Sequence, residues 1–279
     1  MDPLLHWCSS RRRAIALLTC IAALVAAALS LAALCKTDWR TVDGLPNEQV
    51  APGVFFEHLR VGETKTCVTL RLLDHETRQW KTRETCYTTF LREGVPPTTT
   101  RDLVTGQQLI LSPVCSAERD WVARKLGIPD RVHIVEIWDL QCAGLQTANV
   151  LCYAFGLVGA LWLASQTYKL IAHKPDDPEC GDVFFSLLAA IPMLLYTFPT
   201  LAWLFVMDIT DSNVGVSLQL QIIAVVILAW VWGFHVGYLV LSRGFERHQL
   251  YTLLPKGLGL GPSIATSPVG KKLHDIHVQ

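Results

Sequence analysis

The sequence predicts a membrane fold: an all-α four-helix bundle that carries a small extracellular, disulfide-bonded antiparallel β-sheet with a short helix. Three observations predict this fold. The 279 residues have a mean hydropathy of +0.33 with only 17% charged residues, a combination that is unusual for a soluble domain of this length. Four long runs contain no Asp, Glu, Lys or Arg, while 29 of the 48 charged residues lie between residues 36 and 139.

The four apolar runs are the predicted membrane spans, at residues 14–35, 147–168, 183–207 and 217–241. Each is long enough to cross a hydrocarbon core, which takes about 20 helical residues. An Arg-flanked first run can also be a cleaved signal peptide, which would leave three spans. Because signal h-regions have only about 7–15 residues, we expect the first span to be retained.

Basic residues at the ends of the runs predict the orientation. They flank the first, second and fourth runs, whereas the 208–216 connection contains no Lys or Arg. The positive-inside rule therefore places residues 1–13, 169–182 and 242–279 in the cytoplasm, and residues 36–146 and 208–216 outside. We expect a multi-pass plasma-membrane protein that is inserted through the endoplasmic reticulum, with a flexible cytoplasmic tail at 242–279.

The outer segment 36–146 contains four cysteines, Cys67, Cys86, Cys115 and Cys142, which an oxidising compartment would pair. Four cysteines allow three connectivities. A hairpin turning near Glu76 sets residues 67 and 86 opposite each other, which favours Cys67–Cys86 and leaves Cys115–Cys142. A register shifted by one residue would give Trp80 an apolar partner on the opposite strand. It would also place the two cysteine sulfurs on opposite faces of the hairpin.

Further elements are predicted in the same segment. Residues 54–61 and 132–138 have the composition of strands, and residues 93–100 ("EGVPPTTT") that of a stiff linker. Ser112-Pro113 is a typical helix start and Gly127 a typical stop, so a helix is expected between them.

Small residues within the spans predict close helix packing. Gly156 and Gly159 lie on adjoining turns of the second span, and Gly233 and Gly237 have GxxxG spacing in the fourth. They serve either packing within the bundle or a homo-oligomer face. Two cysteines on the predicted cytoplasmic side, Cys8 and Cys180, are candidates for palmitoylation, the alternative being plain juxtamembrane thiols.

Several function classes are disfavoured. The net charge is zero and no basic stripe is present, so nucleic-acid binding is not expected. The sequence has no HExxH, GxSxG or P-loop motif, so we expect no enzyme, no cofactor and no metal site. The spans hold few ionisable groups, of which His235 is the clearest, so ion transport through one subunit is not expected.

Two short stretches resemble a known family. "KTDWR", with Trp39 just outside the first span, is similar to the tryptophan that follows span one in the claudin-like superfamily, and "CAGLQTANVL" resembles the claudin entry into span two. The superfamily includes claudins, peripheral myelin proteins, clarins and calcium-channel γ subunits. The resemblance implies a four-helix bundle with a disulfide-bonded outer sheet. No Gly-Leu-Trp precedes Cys67 and the loop is longer than in claudins, which favours the auxiliary-subunit branch or an unassigned relative.

The predicted function is non-enzymatic. We expect contacts through the outer loop and the bundle with the lipid bilayer and with an integral membrane partner, as an auxiliary subunit of a channel or receptor or as an adhesion or junction component. The alternative is a paracellular or oligomeric pore, for which charge reversal at Asp74 or Glu76 would change ion selectivity. A lipid-active membrane enzyme is the least favoured hypothesis.

Overall fold

A computed structural model describes residues 3–73, 78–89, 97–172, 188–207, 209 and 212–257, with side-chain surroundings between 14 and 237 of these. The predicted hairpin turn at 74–76, most of the 169–182 loop and the end of the tail lie outside the described residues. The described chain consists of long apolar helices and one small antiparallel sheet with two disulfides.

Six α-helices are present in the described residues. Their bounds are α1 Pro3–Cys35, α2 Arg119–Leu126, α3 Ile134–Leu140, α4 Gln146–Ala172, α5 Ala190–Leu201 and α6 Val216–Gly257. Single π-helical turns follow α3 at Gln141–Leu145 and α5 at Ala202–Val206. The first of these turns joins α3 to α4 across a kink at Gly144, where φ is 112°, within the apolar segment Ile134–Lys169.

Three of these segments are long and apolar enough to cross a membrane: Ala14–Cys35, Ile134–Lys169 and Val216–Gly237. The predicted third span is described only from residue 188, where it forms the shorter apolar helix Ala190–Val206. α1 packs against α4 and α6, and α5 packs against the same two helices. Their shared interior is lined mainly by small and aliphatic residues, namely Ala23, Ala26, Ala160, Leu163, Ala224 and Leu228. Alanines permit this close approach because they keep the helix backbones unobstructed.

The main sheet has six strands, which come from both connections on one side of the helices. The strands are β1 Arg40–Asp43, β2 Gln49–Ala51, β3 Val54–Val61, β4 Lys65–Leu73, β5 Trp80–Thr88 and, from the connection between α5 and α6, β8 Asn213–Val214. Their order is β5-β4-β3-β1-β8, with β2 beside β3. A separate hairpin pairs β6 Thr98–Arg101 with β7 Gln108–Leu111. We call this assembly, together with α2 and α3, the sheet domain.

The short strand β8 attaches the second connection to the first. Asn213 and Val214 pair with Thr41 and Arg40. The amide of Gly215 donates to the Trp39 carbonyl at 3.0 Å, and that of Ser217 to the Asp38 carbonyl at 2.9 Å. A Cβ at Gly215 would overlap the Asp38 carbonyl, so only glycine permits this approach.

The predicted register of the stapled hairpin is confirmed. Cys67 lies opposite Cys86, and the two form a disulfide. This register also sets an apolar residue against a charged one, since Leu70 lies opposite Arg83. Arg83 donates to the Arg101 carbonyl in the β6–β7 hairpin. The mismatch is thus accommodated because β6 offers a polar acceptor beside β5. The strand predicted at 54–61 is also confirmed as β3.

Three expectations are wrong in whole or part. Residues 132–138 are not a strand: Ile134, Ile137 and Trp138 are buried at helical spacing in α3. The helix expected from Ser112 begins only at Arg119, although Gly127 ends it in the left-handed conformation with φ 76°. Thr98–Thr100, assigned to the linker, belong to β6. In the predicted tail, helix α6 continues to Gly257.

Candidate functional site

The junction between the sheet domain and the helices is built around a buried tryptophan. Trp39 is fully buried four residues after the end of α1. Its indole Nε1 donates to the Ala33 carbonyl at 3.1 Å. The ring lies edge-on to Tyr153 of α4 at 5.9 Å and against Trp203 at 5.4 Å. Trp39 therefore fills the space where the first, second and third apolar segments meet the sheet.

The next residue, Arg40, joins β1 to the end of α5. Its guanidinium donates to the Trp203 carbonyl from Nε at 3.1 Å and from Nη2 at 2.9 Å, and to the Leu204 carbonyl at 3.0 Å. The last carbonyls of a helix have no partner within the helix and carry partial negative charge. The buried cation of Arg40 supplies both the hydrogen bonds and the opposite charge.

A glutamate occupies the centre of the junction. Glu63, in the turn between β3 and β4, is completely buried. Its Oε1 accepts hydrogen bonds of 2.6 Å from Asn149 Nδ2 of α4 and from Trp203 Nε1. Burial raises the pKa of Glu63 to about 7, against the opposing effect of these two hydrogen bonds. The carboxyl group thus contacts two helices from a turn of the sheet.

Two glutamine side chains hold the backbone of the same turn. Gln141 Nε2 donates to the Gly62 carbonyl at 3.3 Å, and Gln146 Nε2 donates to the Glu63 carbonyl. Both glutamines are buried and lie at the two ends of the π-helical turn that connects α3 to α4. The turn of the sheet is therefore hydrogen-bonded to the start of α4 through both its backbone and the Glu63 side chain.

The sequence predicted only part of this junction. Trp39 was identified through the family resemblance, and Asn149 is a polar residue within a predicted span. Arg40, Glu63 and Gln146 carry no local signal, because charged and amide side chains are ordinary in an outer loop. Only the docking of the sheet on the helices buries them.

The second predicted disulfide lies beside the junction. Cys115 is bonded to Cys142, which lies in the π-helical turn, across a sequence separation of 27 residues. The bond ties the chain that precedes α2 to the start of α4. Both predicted pairings are therefore present in the structure.

The two pairs of glycines have different surroundings. A Cβ on Gly156 would lie 3.2 Å from the Tyr196 ring, and a Cβ on Gly159 would overlap the Pro192 ring. These two glycines allow α4 to approach α5. Gly233 and Gly237 have no described neighbour within 4 Å of a Cβ position, so they do not serve packing among the described helices.

This difference gives a matched pair of variants. Gly159→Ala is expected to lower the free energy of unfolding by about 1–3 kcal/mol, because a rigid proline ring must move to admit the methyl group. Gly233→Ala is expected to be neutral or to stabilise by up to about 1 kcal/mol through the entropy of the unfolded chain. Thermal unfolding in detergent measures both, and equal losses in the two variants would contradict the packing assigned to Gly159.

One face of the sheet carries an aromatic and cationic group. Phe55 and Trp80 pack edge-on at 5.4 Å, and the Arg71 guanidinium lies 4.9 Å from the Trp80 ring centre and 5.9 Å from that of Phe55. Trp80 is 50% exposed. On the same face Arg60 pairs with the exposed Glu84. We call the Phe55–Arg71–Trp80 group the open face.

The remaining predicted sites are less informative. Cys8 lies in α1 but its side chain is not among those described, and Cys180 lies outside the described residues. Among the described residues, Cys67, Glu84 and Cys86 form a group whose ligand atoms are close enough to hold a metal. The two sulfurs are bonded to each other, so this group cannot provide thiolate ligands.

Comparison of the chain with protein-family models, with curated proteins and with solved structures finds no match.

Proposed function

We propose that this chain is a four-span membrane protein of the claudin-like type that acts by protein–protein contact, with its sheet domain outside the cell. Its role is that of an auxiliary subunit of a channel or receptor, or of an adhesion or junction component. It is not an enzyme. Its partner is an integral membrane protein of the same cell or of a neighbouring cell.

The observation that carries the proposal is the contrast between the two faces of the sheet. The inner face is buried against α2 and α3, where Trp138 packs on Tyr87 at 5.5 Å and donates to Thr66 at 3.2 Å. The opposite side carries Phe55, Arg71 and the half-exposed Trp80. Tryptophan and arginine are the residue types enriched at the energetic centres of protein interfaces.

The junction supports the same role. Trp39, Arg40 and Glu63 attach the sheet to three helices through buried contacts. A surface attached in this way keeps its geometry when a partner binds, so less conformational entropy is lost on association. A rigid recognition surface beside the membrane suits lateral association better than a loop that orders only on contact.

Orientation rests on the disulfides and on the flanking charges. Both disulfides lie in the sheet domain, and disulfides persist in oxidising compartments. The basic flanks of the apolar runs support a cytoplasmic position for the opposite ends. The two arguments are independent and agree.

Within the described residues, the interior of the helices does not support a pore through one subunit. Large buried side chains, among them Trp203, Tyr196 and Leu163, occupy it. We therefore rank contact with a partner above conduction.

The test is co-purification after cross-linking at the cell surface and solubilisation in mild detergent. Replacing Trp80 by alanine is expected to reduce recovery of the cross-linked membrane partner by about tenfold, the usual effect of removing an interface centre worth about 1.4 kcal/mol. Val104→Ala is the matched control, since Val104 is 75% exposed on the turn of the β6–β7 hairpin. Recovery of the chain alone under every mild condition, or equal losses for both variants, would contradict the proposal.

A further inference from the structure

The two oxygens of the Glu63 carboxyl group have opposite surroundings. Oε1 accepts two hydrogen bonds of 2.6 Å, from Asn149 and Trp203. Oε2 is buried and has no hydrogen-bond partner among the described residues. An ionised carboxylate accepts through both oxygens, whereas a protonated one keeps an accepting oxygen and has a donating hydroxyl. The surroundings of Glu63 are those of the neutral acid.

Two amide side chains beside this turn also carry unpaired acceptor oxygens. Asn149 Oδ1 and Gln141 Oε1 are buried, and in the described structure neither has a hydrogen-bond partner. The side chains of both residues donate elsewhere in the same turn, to Glu63 Oε1 and to the Gly62 carbonyl. A proton on Glu63 Oε2 would supply a hydroxyl donor beside two amide side chains whose own oxygens are unpaired acceptors. A carboxylate would add one more unpaired, charged acceptor.

No described contact neutralises a negative charge at this position. The charged or titratable groups of the described elements around the junction include Arg40 of β1, Cys152 and Tyr153 of α4, and Tyr196 of α5. Arg40 donates hydrogen bonds to the Trp203 and Leu204 carbonyls. Tyrosine and cysteine side chains are neutral at physiological pH unless their environment shifts them strongly, and burial favours the neutral form.

We propose that Glu63 is a proton-binding site through which pH controls the attachment of the sheet domain to the helices. With the proton bound, the turn between β3 and β4 stays attached to α4 and to the end of α5. When the turn detaches, the carboxyl group meets water and releases its proton to solvent. This regulation does not depend on which partner the open face binds.

The direction of the effect follows from the pKa of Glu63, which burial raises from the ordinary glutamate value of 4.5 to about 7. The attached form binds the proton more tightly than the detached form, so attachment is strongest below the ordinary glutamate pKa. Between the two values the equilibrium constant for detachment rises about tenfold per pH unit, and it becomes constant above about pH 7. A rise in pH from about 4.5 to about 7 therefore loosens the junction.

Hydrogen exchange of the full chain in lipid nanodiscs tests this. The opening constants of amides in residues 38–42 and 60–66 are measured from about pH 5 to about pH 8 and corrected for the intrinsic pH dependence of exchange. The wild type is expected to show the tenfold rise per pH unit in its lower half. Glu63→Gln, which keeps an accepting oxygen and a donor, is expected to be flat. Glu57→Gln, at an exposed position on β3, is the control and should follow the wild type.

Equal slopes in the wild type and in Glu63→Gln would overturn the proposal. If Glu63→Gln does not fold, infrared difference spectra of the wild type labelled with ¹³C-glutamate replace it. A band of a protonated carboxyl group that disappears near neutral pH supports the proposal, and loss of every such band by about pH 5 overturns it. The titration is repeated with added sodium or calcium at constant ionic strength. A midpoint that moves with either ion would show a cation site and would also overturn the proposal.

Discussion

Replacing Trp39 by alanine is expected to lower the free energy of unfolding by about 3–5 kcal/mol, the range for removing a fully buried tryptophan. Trp39 is fully buried, its indole is bonded to the Ala33 carbonyl, and its ring separates Tyr153 from Trp203. The cavity would lie where three helices meet the sheet, and the Ala33 carbonyl would lose its side-chain donor. Because native stabilities are only about 5–15 kcal/mol, this loss threatens folding itself.

The measurement is unfolding in detergent followed by tryptophan fluorescence and by protease resistance of the sheet domain. Trp39→Phe is expected to be intermediate, because it keeps the aromatic contacts but loses the hydrogen bond. Trp80→Ala removes the same residue type from a half-exposed position and should change stability much less. A Trp39→Ala variant as stable as Trp80→Ala would show that Trp39 does not hold the junction together.

Removing the Cys115–Cys142 disulfide by a double serine substitution is expected to destabilise the sheet domain by about 3–4 kcal/mol. This is the entropy that a loop of this length regains in the unfolded chain. The bond has a second effect, because Cys142 lies in the π-helical turn that also positions Gln141. Its loss should therefore increase hydrogen exchange of the Gly62–Glu63 turn.

Denaturation in detergent, without reductant, compares the double variant with the wild type. Cys35→Ser is the control, since Cys35 is an exposed free thiol at the end of α1. Peptide mapping under non-reducing conditions should recover the peptide containing Cys115 linked to that containing Cys142. A linkage between Cys86 and Cys115 in the wild type would refute the pairing. Unchanged stability of the double variant would show that the disulfide does not stabilise the sheet domain.

Local sequence patterns account for the elements that were predicted correctly. Residues 54–61 alternate buried and partly exposed positions, apart from a bulge between Phe56 and His58, so their period is that of a strand. The opposed cysteines set the register of the β4–β5 hairpin. Hydrophobic length alone located the long helices of the first, second and fourth predicted spans.

The wrong assignments have physical causes. Residues 132–138 combine β-branched residues with an apolar spacing that fits either period. Gln141 distinguishes the helical period from the strand period, because it is buried one helical turn beyond Ile137 and Trp138. Since glutamine is polar, the sequence does not mark this position as buried. The β6–β7 hairpin was missed because its threonines follow two prolines. Its turn is set by Asp102, whose side chain accepts hydrogen bonds from the backbone amides of Val104 and Thr105.

The junction could not be predicted from local pattern at all. A single glutamate in a Gly-Glu-Thr turn and an arginine after a tryptophan have the composition of an exposed loop. Their burial follows from the way β1, the β3–β4 turn and the end of α5 converge. That arrangement involves contacts 140 residues apart or more, as for Glu63 with Trp203 and Arg40 with Trp203.

The strand β8 makes one end of the helical assembly harder to pull apart than the other. Because Asn213 and Val214 pair with β1, the start of the last helix is hydrogen-bonded to the residues that leave the first one. Lateral separation of α1 from α6 at the sheet end must break backbone hydrogen bonds, whereas along the described part of the two helices it opposes the packing of their side chains. We therefore expect α1 and α6 to separate more readily at the end remote from the sheet. The surface beside the sheet should keep its shape when they do.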